Sequence, residues 1–460
     1  MRTYQDLIAV GENDHDRAEF ILGAISEFQA SDLWRIARDA DAYYRHQNPT
    51  IMRAQKMVYN LMGQATPDVW KPNHKIASRF YYYFVTQEVS FLLGNGVLFS
   101  KLTDKDAALG KDFDTRVMKA ATDALNAGVS YGFWNEDHLE VFPVYGGPYA
   151  PSFCPLDDEE TGGLMAGIRF WQLNAKSPLR VTLYEPDGIT DYIREDGEEI
   201  RILTPKHSYR RIREESEATG TEYREGGNPS VIPIVPLYNT SRQSELVGGR
   251  ATIDAYDLMI SGMVNNTDEG NLIYWVLKNA NAMDEEDDAK FLAQLYRTHV
   301  AHANGDDGVG VEHETVEVPF EASKETLDQL RRRLFDDFMA LDVKEIASGS
   351  ATATQIRAAY EPLNEKASQF EGCVLDFLGG ILALAGVDEM PTFRRDTIIN
   401  QTEELTNILQ AAQYLDADTV TEQICGVLGL VDRKDEIIAK RKAEEVGRFE
   451  NDPDEDGDDE

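Results

Sequence analysis

Residues 321–386 read EASKETLDQLRRRLFDDFMALDVKEIASGSATATQIRAAYEPLNEKASQFEGCVLDFLGGILALAG, two strongly periodic segments with a break between them. Before the break, Leu327, Leu330, Leu334, Phe338 and Leu341 recur at steps of three and four, which predicts a helix over 323–341 with a seam close to heptad spacing. After it, Ile356, Tyr360, Leu363, Ala367, Phe370, Val374, Phe377 and Ile381 mark one face of a helix over 354–385. Pro362 removes a backbone donor from this second helix and should kink it, and the Gly379-Gly380 pair is another candidate bend. The intervening DVKEIASGSATAT is rich in Gly, Ser, Thr and Ala. Such a loop buries little and costs backbone entropy to order, so it is suited to reaching something outside the core.

Working outward, residues 252–268 read as a helix with Ile253, Tyr256, Ile260 and Val264 as its buried stripe. Between this helix and the next, 271–320 holds a strand (LIYWVLKNA), an acidic helix (DEEDDAKFLAQLYR) and further strands (HVAHANG, GVEHETVEVPF), a compact α/β insert. The N-terminal part starts helical over 14–62, interrupted at Asn48-Pro49. A second helix begins near Asn73, with Phe80, Phe84, Val85, Val89 and Leu92 on its apolar face, and Gly94-Asn95-Gly96 closes it before a strand starting at VLF. A helix over 115–127 follows, and after Gly128 the pattern changes to alternating strands: HLEVFPVY, GIRFWQL, LRVTLYEP, GITDYIRE and EEIRILTP. Residues 206–228 are polar and read as a hairpin tip or surface loop, and VIPIVPLYN leads from there to the helix expected from Ala251. Beyond Pro391 come helices over 402–414, 419–428 and 433–448, then ENDPDEDGDDE, too charged to fold. The fold class is α+β.

At 460 residues with 42% apolar content the chain can bury a sizeable core, and its net charge of -37 argues against a protein that grips nucleic acid by neutralising phosphates. No stretch approaches the roughly 20 apolar residues of a membrane span, and MRTYQDLIAVGENDHD lacks a signal-peptide core, so a protein made and kept in cytoplasm, away from membranes, is expected. Cys154, Cys373 and Cys425 have no CxxC spacing and read as reduced, mostly buried thiols. The signatures G-x-x-x-x-G-K-[ST], G-x-S-x-G and H-E-x-x-H do not occur, so nothing points to an enzyme. His299, His302 and His313 lie in strand-like sequence without a cysteine nearby, and the acidic runs 157–160 and 284–288 lack the order of a calcium loop. No metal and no cofactor is assigned. Arg331, Arg332 and Arg333 form the densest basic run, readable as phosphate contacts or as ion pairs to Asp328, Asp336, Asp337 or a neighbouring copy.

The order of these parts resembles the portal proteins of tailed bacteriophages, of the siphophage head-tail connector type. NHKIASRFYYYFVTQEVSFLLGNGVLF is similar to that family's early helix with its Leu-Leu-Gly turn, and VIPIVPLYN with TIDAYDLMISGMVNNTDE to its entry into a first stem helix. TVEVPFEASKETLDQLRRRLF resembles the return into a second stem helix, SGSATATQIRAAYEPLNEKASQFE the tunnel loop and the helix behind it, and DADTVTEQICGVLGLVDRKDEIIAKRKAEE the C-terminal crown. The resemblance implies a wing over 1–250, stem helices over 251–270 and 322–341, a clip over 271–321, a tunnel loop over 342–353, a long kinked helix over 354–387, a crown over 388–449 and an acidic tail over 450–460.

It also implies a ring of twelve copies at one capsid vertex of the virion, assembled in the host cytoplasm, through which double-stranded DNA is packaged and ejected. The implied partners are the terminase large subunit, the head-tail connector, and the major capsid and scaffolding proteins. In the loop, Lys344 and Ile346 would touch the duplex, Ser348, Ser350 and Thr352 would offer weak hydrogen bonds, and Gly349 would permit unusual backbone angles. A viral scaffolding or minor capsid protein and a nucleic-acid-processing enzyme are the alternatives.

Overall fold

A computed structural model describes residues 2–59, 64–68, 71–196, 198–216, 220–269, 274–278, 310–314, 320–344, 353–395, 401–428, 430 and 433–450. The chain opens with helices α1 (Tyr4–Val10), α2 (Asp14–Ala30), α3 (Asp32–Tyr44) and α4 (Pro49–Arg53). The continuous helix expected from periodicity is cut at Ser31, whose backbone is extended (ψ 157°) and whose hydroxyl accepts the Trp34 amide at 3.2 Å. Ser31 thus ends α2 and caps α3, a task for which a short hydroxyl side chain is suited. A small hairpin, β1 (Met57–Tyr59) and β2 (Ala65–Pro67), follows.

Helix α5 runs Phe80–Leu93, then come α6 (Lys105–Leu109) and α7 (Phe113–Ala127). Gly128, at φ 90°, supplies the left-handed turn that stops α7. The strand expected at VLF is reduced to a single bridge between Leu98 and Thr392. The β-rich part comprises β3 (Val129–Asn135), β4 (His138–Pro143), β5 (Ser152–Asp157), β6 (Leu164–Trp171), β7 (Leu179–Glu185), β8 (Gly188–Arg194) and β9 (Arg201–His207). A hairpin of β10 (Arg210–Ser216) and β11 (Gly220–Gly227) occupies the polar run, and β12 (Ile234–Tyr238) follows. Strands β5 to β9 form one antiparallel meander, and β12-β3-β4 a second sheet. Strands β3 and β5 escape an alternation search because nearly all their residues are buried, so neither shows an in-out pattern.

Helix α8 spans Leu246–Glu269, starting five residues before the expected Ala251. Strands β13 (Tyr274–Lys278) and β14 (Gly310–Glu314) pair antiparallel, α9 covers Phe320–Asp337, and α10 covers Ala353–Ala385. Helices α11 (Gln401–Ala411), α12 (Ala417–Val427) and α13 (Lys434–Glu450) close the described chain. The acidic helix and the HVAHANG strand expected in the insert, and the tail over 451–460, lie outside the described residues.

Two large cores share this α+β body, and a smaller cluster of Phe91, Leu341, Ile356, Tyr360, Leu363 and Ala367 joins the first half of α10 to α5. One packs α2 and α3 on the two sheets; the other gathers α5, α7, α8, α9 and α10. Helix α10 is the spine of the second, and all eight apolar positions read from its sequence are buried. Phe377 lies against Gly132 of β3, where any Cβ would meet its ring at 2.5 Å, so glycine there lets helix and sheet approach. By length and composition α10 is apolar enough to cross a membrane, contrary to the expectation for this chain. Its apolar stripe is spent on the chain's own core instead.

Candidate functional site

The buried face of α8 is not the apolar stripe that spacing suggests. Ile253 is buried, but Tyr256, Ile260 and Val264 are only partly covered, and the fully buried positions that follow Ile253 are Asp257, Ser261 and Asn265. Residues 73–79, expected to be helical, form neither helix nor strand and run along this face as a strap that brings it bare backbone. The Ser78 amide donates to Asp257 Oδ1 (2.9 Å), the Ile76 amide to Ser261 Oγ (3.0 Å) and the His74 amide to Asn265 Oδ1 (2.7 Å). Four helical residues rise about 6.0 Å and two extended residues about 6.6 Å, so alternate amides of the strap meet every fourth side chain of the helix. Asn48 donates to Asp257 as well, Tyr43 and Thr50 donate to Asp254, and Arg250 pairs with Asp39 at 2.8 Å. Burial pushes the Asp257 carboxyl up, while the bonds from Asn48 and Ser78 pull it back.

The other side of α8 meets α9 through rings. Phe338 stacks on Phe84 (centroids 4.5 Å apart) and covers Gly249, where a Cβ would lie 2.0 Å from its ring. Helix α9 stops at Asp337, four residues before the expected Leu341. Met339 takes φ 51°, and Leu341 turns to Gln87 of α5, which accepts its amide at 2.9 Å and donates to its carbonyl at 3.0 Å. Tyr83 donates to the same carbonyl at 3.2 Å. A side-chain amide that serves both groups of one residue replaces the helical bonds lost there.

The basic run divides three ways. Arg331 is held by Asp342 (2.7 Å) and lies over the Phe335 ring (4.9 Å), a pairing with the loop's first residue instead of its own helix. Arg333 reaches Asp337 at 3.5 Å, and Arg332 is exposed. Residues 338–344 form the root of the segment that joins α9 to α10, and Lys344 is exposed at its far end, its amide donating to Asp342 Oδ1 at 3.0 Å. Ile346, Ser348, Gly349, Ser350 and Thr352 lie outside the described residues, as do His299 and His302. Pro362 sits on the exposed side of α10, which continues as α-helix through it. Among the described residues no cluster of His, Cys, Asp and Glu has the grouping of a metal site.

Beneath the root lies a charge cluster with no sequence signature. The Lys366 ammonium is 2.7 Å from Glu88 of α5, 2.9 Å from Glu245 just before α8, and 3.3 Å from the Phe338 carbonyl, to which it donates. Burial pushes the Glu88 carboxyl up to about 7 against the pull of Lys366, with Glu245 adding to the rise. Burial works against the Lys366 charge, but the two carboxylates outweigh it and hold its pKa above the usual lysine value.

A family model described as phage portal protein, SPP1 Gp6-like, matches residues 24–447. The chain belongs to this family of phage portal proteins. Among curated relatives, the portal protein of Bacillus phage SPP1 is 23% identical over 428 residues, covering 89% of this chain and 82% of that one. The portal protein of Clostridium phage phiCD119 is 22% identical over 407 residues, covering 79% and 83%. A chain in a solved structure of the neck of an empty GTA particle, computed with C6 symmetry, aligns with TM-score 0.39 at 11% identity, covering 77% of this chain and 90% of that chain.

The portal-family match takes in the whole strap, both long helices that flank the insert, and residues 338–344 after α9. The residues that position the root, Gln87, Glu88, Asp342 and Lys366, are polar groups scattered over three segments and leave no local motif. A signal did exist for the strap: Asp257, Ser261 and Asn265 recur every four residues on a helix otherwise rich in apolar side chains.

Proposed function

We propose that this portal-family chain assembles twelve copies into a ring at one capsid vertex, with double-stranded DNA entering and leaving through the centre. Family membership over residues 24–447 carries this reading. In the ring 251–270, most of α8, and 322–341, which takes in most of α9, are the stem; 271–321, with β13 and β14, is the clip; 1–250 form the wing and 388–449 the crown. The loop over 342–353 faces the channel, where Lys344 and Ile346 touch the duplex, Ser348, Ser350 and Thr352 give weak hydrogen bonds, and Gly349 lends backbone freedom.

Net charge supports loose contact. Twelve copies at -37 each carry on the order of -400 formal charges, so a duplex meets repulsion that salt screens beyond about 8 Å. DNA then slides past the wall while the loops touch it repeatedly. Arg331 braces the subunit through Asp342, while Arg332 and Arg333 are exposed. Pro362, and with it Gly379-Gly380, lets α10 bend as the loop changes position. The clip docks the terminase large subunit during packaging and the head-tail connector afterwards; the major capsid and scaffolding proteins are further partners. Assembly takes place in the host cytoplasm, and no cofactor, metal, membrane or catalytic step enters this mechanism.

Electron microscopy of the purified chain tests the ring: closed particles with a central hole are expected, and monomers without one overturn the reading. Lys344→Glu and Gly349→Pro should leave rings intact and lower the DNA packaged per particle. Normal packaging by both variants removes the loop from the mechanism.

A further inference from the structure

We propose that Lys366, Glu88 and Glu245 form a proton-sensitive brace that fixes residues 338–344, the root from which the loop departs. The inference concerns the subunit itself and holds whether or not the loop touches DNA. Three observations converge on it. The cluster ties four elements together at one point, since Glu88 lies on α5, Glu245 just before α8, Lys366 on α10 and the Phe338 carbonyl just past the end of α9. Water is kept from the Glu88 end of the cluster: Glu88 is 2% exposed, while Lys366 at 15% and Glu245 at 20% are partly covered. Its charges do not balance, because two carboxylates share one ammonium.

The imbalance falls on Glu88. Glu245 has a second partner, the Asn239 side-chain amide at 2.9 Å. Glu88 Oε2 touches the ammonium at 2.7 Å without an aligned hydrogen bond and finds no other donor. A buried carboxylate so poorly served takes up a proton readily, and doing so leaves Lys366 and Glu245 as a neutral pair. Tyr81, the other titratable group near Glu88, is buried and held neutral far above this range. The same helix that carries Glu88 carries Gln87, its immediate neighbour, and Tyr83, and these two hold Leu341, so the brace and the clasp on Leu341 share one short stretch of α5.

The direction with pH follows from linkage. Glu88 has a higher pKa in the closed cluster, about 7, than its ordinary value of 4.5, so the closed state binds the proton more tightly. Closure is strongest below about pH 4.5, weakens as pH rises toward about 7, and is level above that. The full change corresponds to on the order of 100-fold in the opening equilibrium.

Hydrogen exchange of the full-length protein reads this locally, because the amides of Phe338, Met339, Ala340, Leu341 and Lys344 all have acceptors. After correction for intrinsic exchange, protection of 338–344 should fall on the order of 100-fold between about pH 4.5 and 7 relative to helix α7. Glu88→Gln should abolish that slope. A wild-type profile with no such slope, or the same slope in Glu88→Gln, overturns the proton-sensing role. The pair Glu88→Gln/Lys366→Met, which removes both charges of the shortest ion pair, should lose protection at 338–344 but keep it in α7; unchanged protection at 338–344 overturns the brace.

Discussion

Helices α8 and α10 are both long and both buried along one side, yet their buried sides are of opposite character. On α10 the stripe Ile356, Tyr360, Leu363, Ala367, Phe370, Val374, Phe377 and Ile381 goes into the core. On α8 the stripe that goes inside after Ile253 is Asp257, Ser261 and Asn265. What differs is the neighbour. Along its apolar stripe α10 meets apolar side chains and a sheet whose backbone is hydrogen-bonded to its own strands. Helix α8 meets the strap at 74–78, whose unpaired amides must find acceptors once water is excluded. Burial therefore selects for whatever the facing surface lacks, and apolar periodicity reports it only where that surface is apolar.

The contrast can be broken at several points. Phe377→Ala on α10 should cost about 4 kcal/mol in urea unfolding, the range for emptying a buried ring site, with a cavity left beside Gly132. Asp257→Ala on α8 should cost about 3 kcal/mol although it removes a polar group, because the Ser78 amide and the Asn48 amide lose their acceptor in a closed place. A loss below 0.5 kcal/mol there, within the ordinary range for surface changes, shows that the strap is held by something else. The Glu88 carboxyl provides a pH handle on the junction between the two helices. Its contribution, about 3 kcal/mol, is fully present below about pH 4.5 and is lost as pH rises through about 7, so the stability gap between Glu88→Gln and wild type should widen over that window.

Smaller effects sharpen the comparison. Ser261→Ala takes one acceptor from the middle of the strap, and about 1 kcal/mol with faster exchange of the Ile76 amide is expected. Arg333→Ala breaks an ion pair whose arginine side chain is 71% exposed, so its effect should be under about 0.5 kcal/mol and vanish in high salt. A large effect from Arg333 would mean that it is buried against another copy in the assembly.

How much was legible depended on whether the partner of a residue lay in the same stretch. The long helix, the meander from β6 to β9 and the α+β class are local patterns, and each stands close to where reading placed it. Helix α9 ends at Asp337 and not Leu341 because Gln87, about 250 residues earlier in sequence, captures Leu341. Residues 73–79 have enough helical character to extend α5, but their amides are claimed by α8. Arg331 had acidic neighbours within its helix and chose Asp342 across the turn, where it also lies over Phe335.

The order of elements and the family they belong to were written in the sequence itself, since periodicity, turn residues and motif order are local and survive without knowledge of the fold. The function of individual polar residues was not. Whether Asp257 faces water or a bare amide, and whether Lys366 is a surface charge or the centre of a buried cluster, depends on which distant backbone arrives beside it. Only the tertiary structure brings those partners together, and exclusion of water then makes each pairing obligatory.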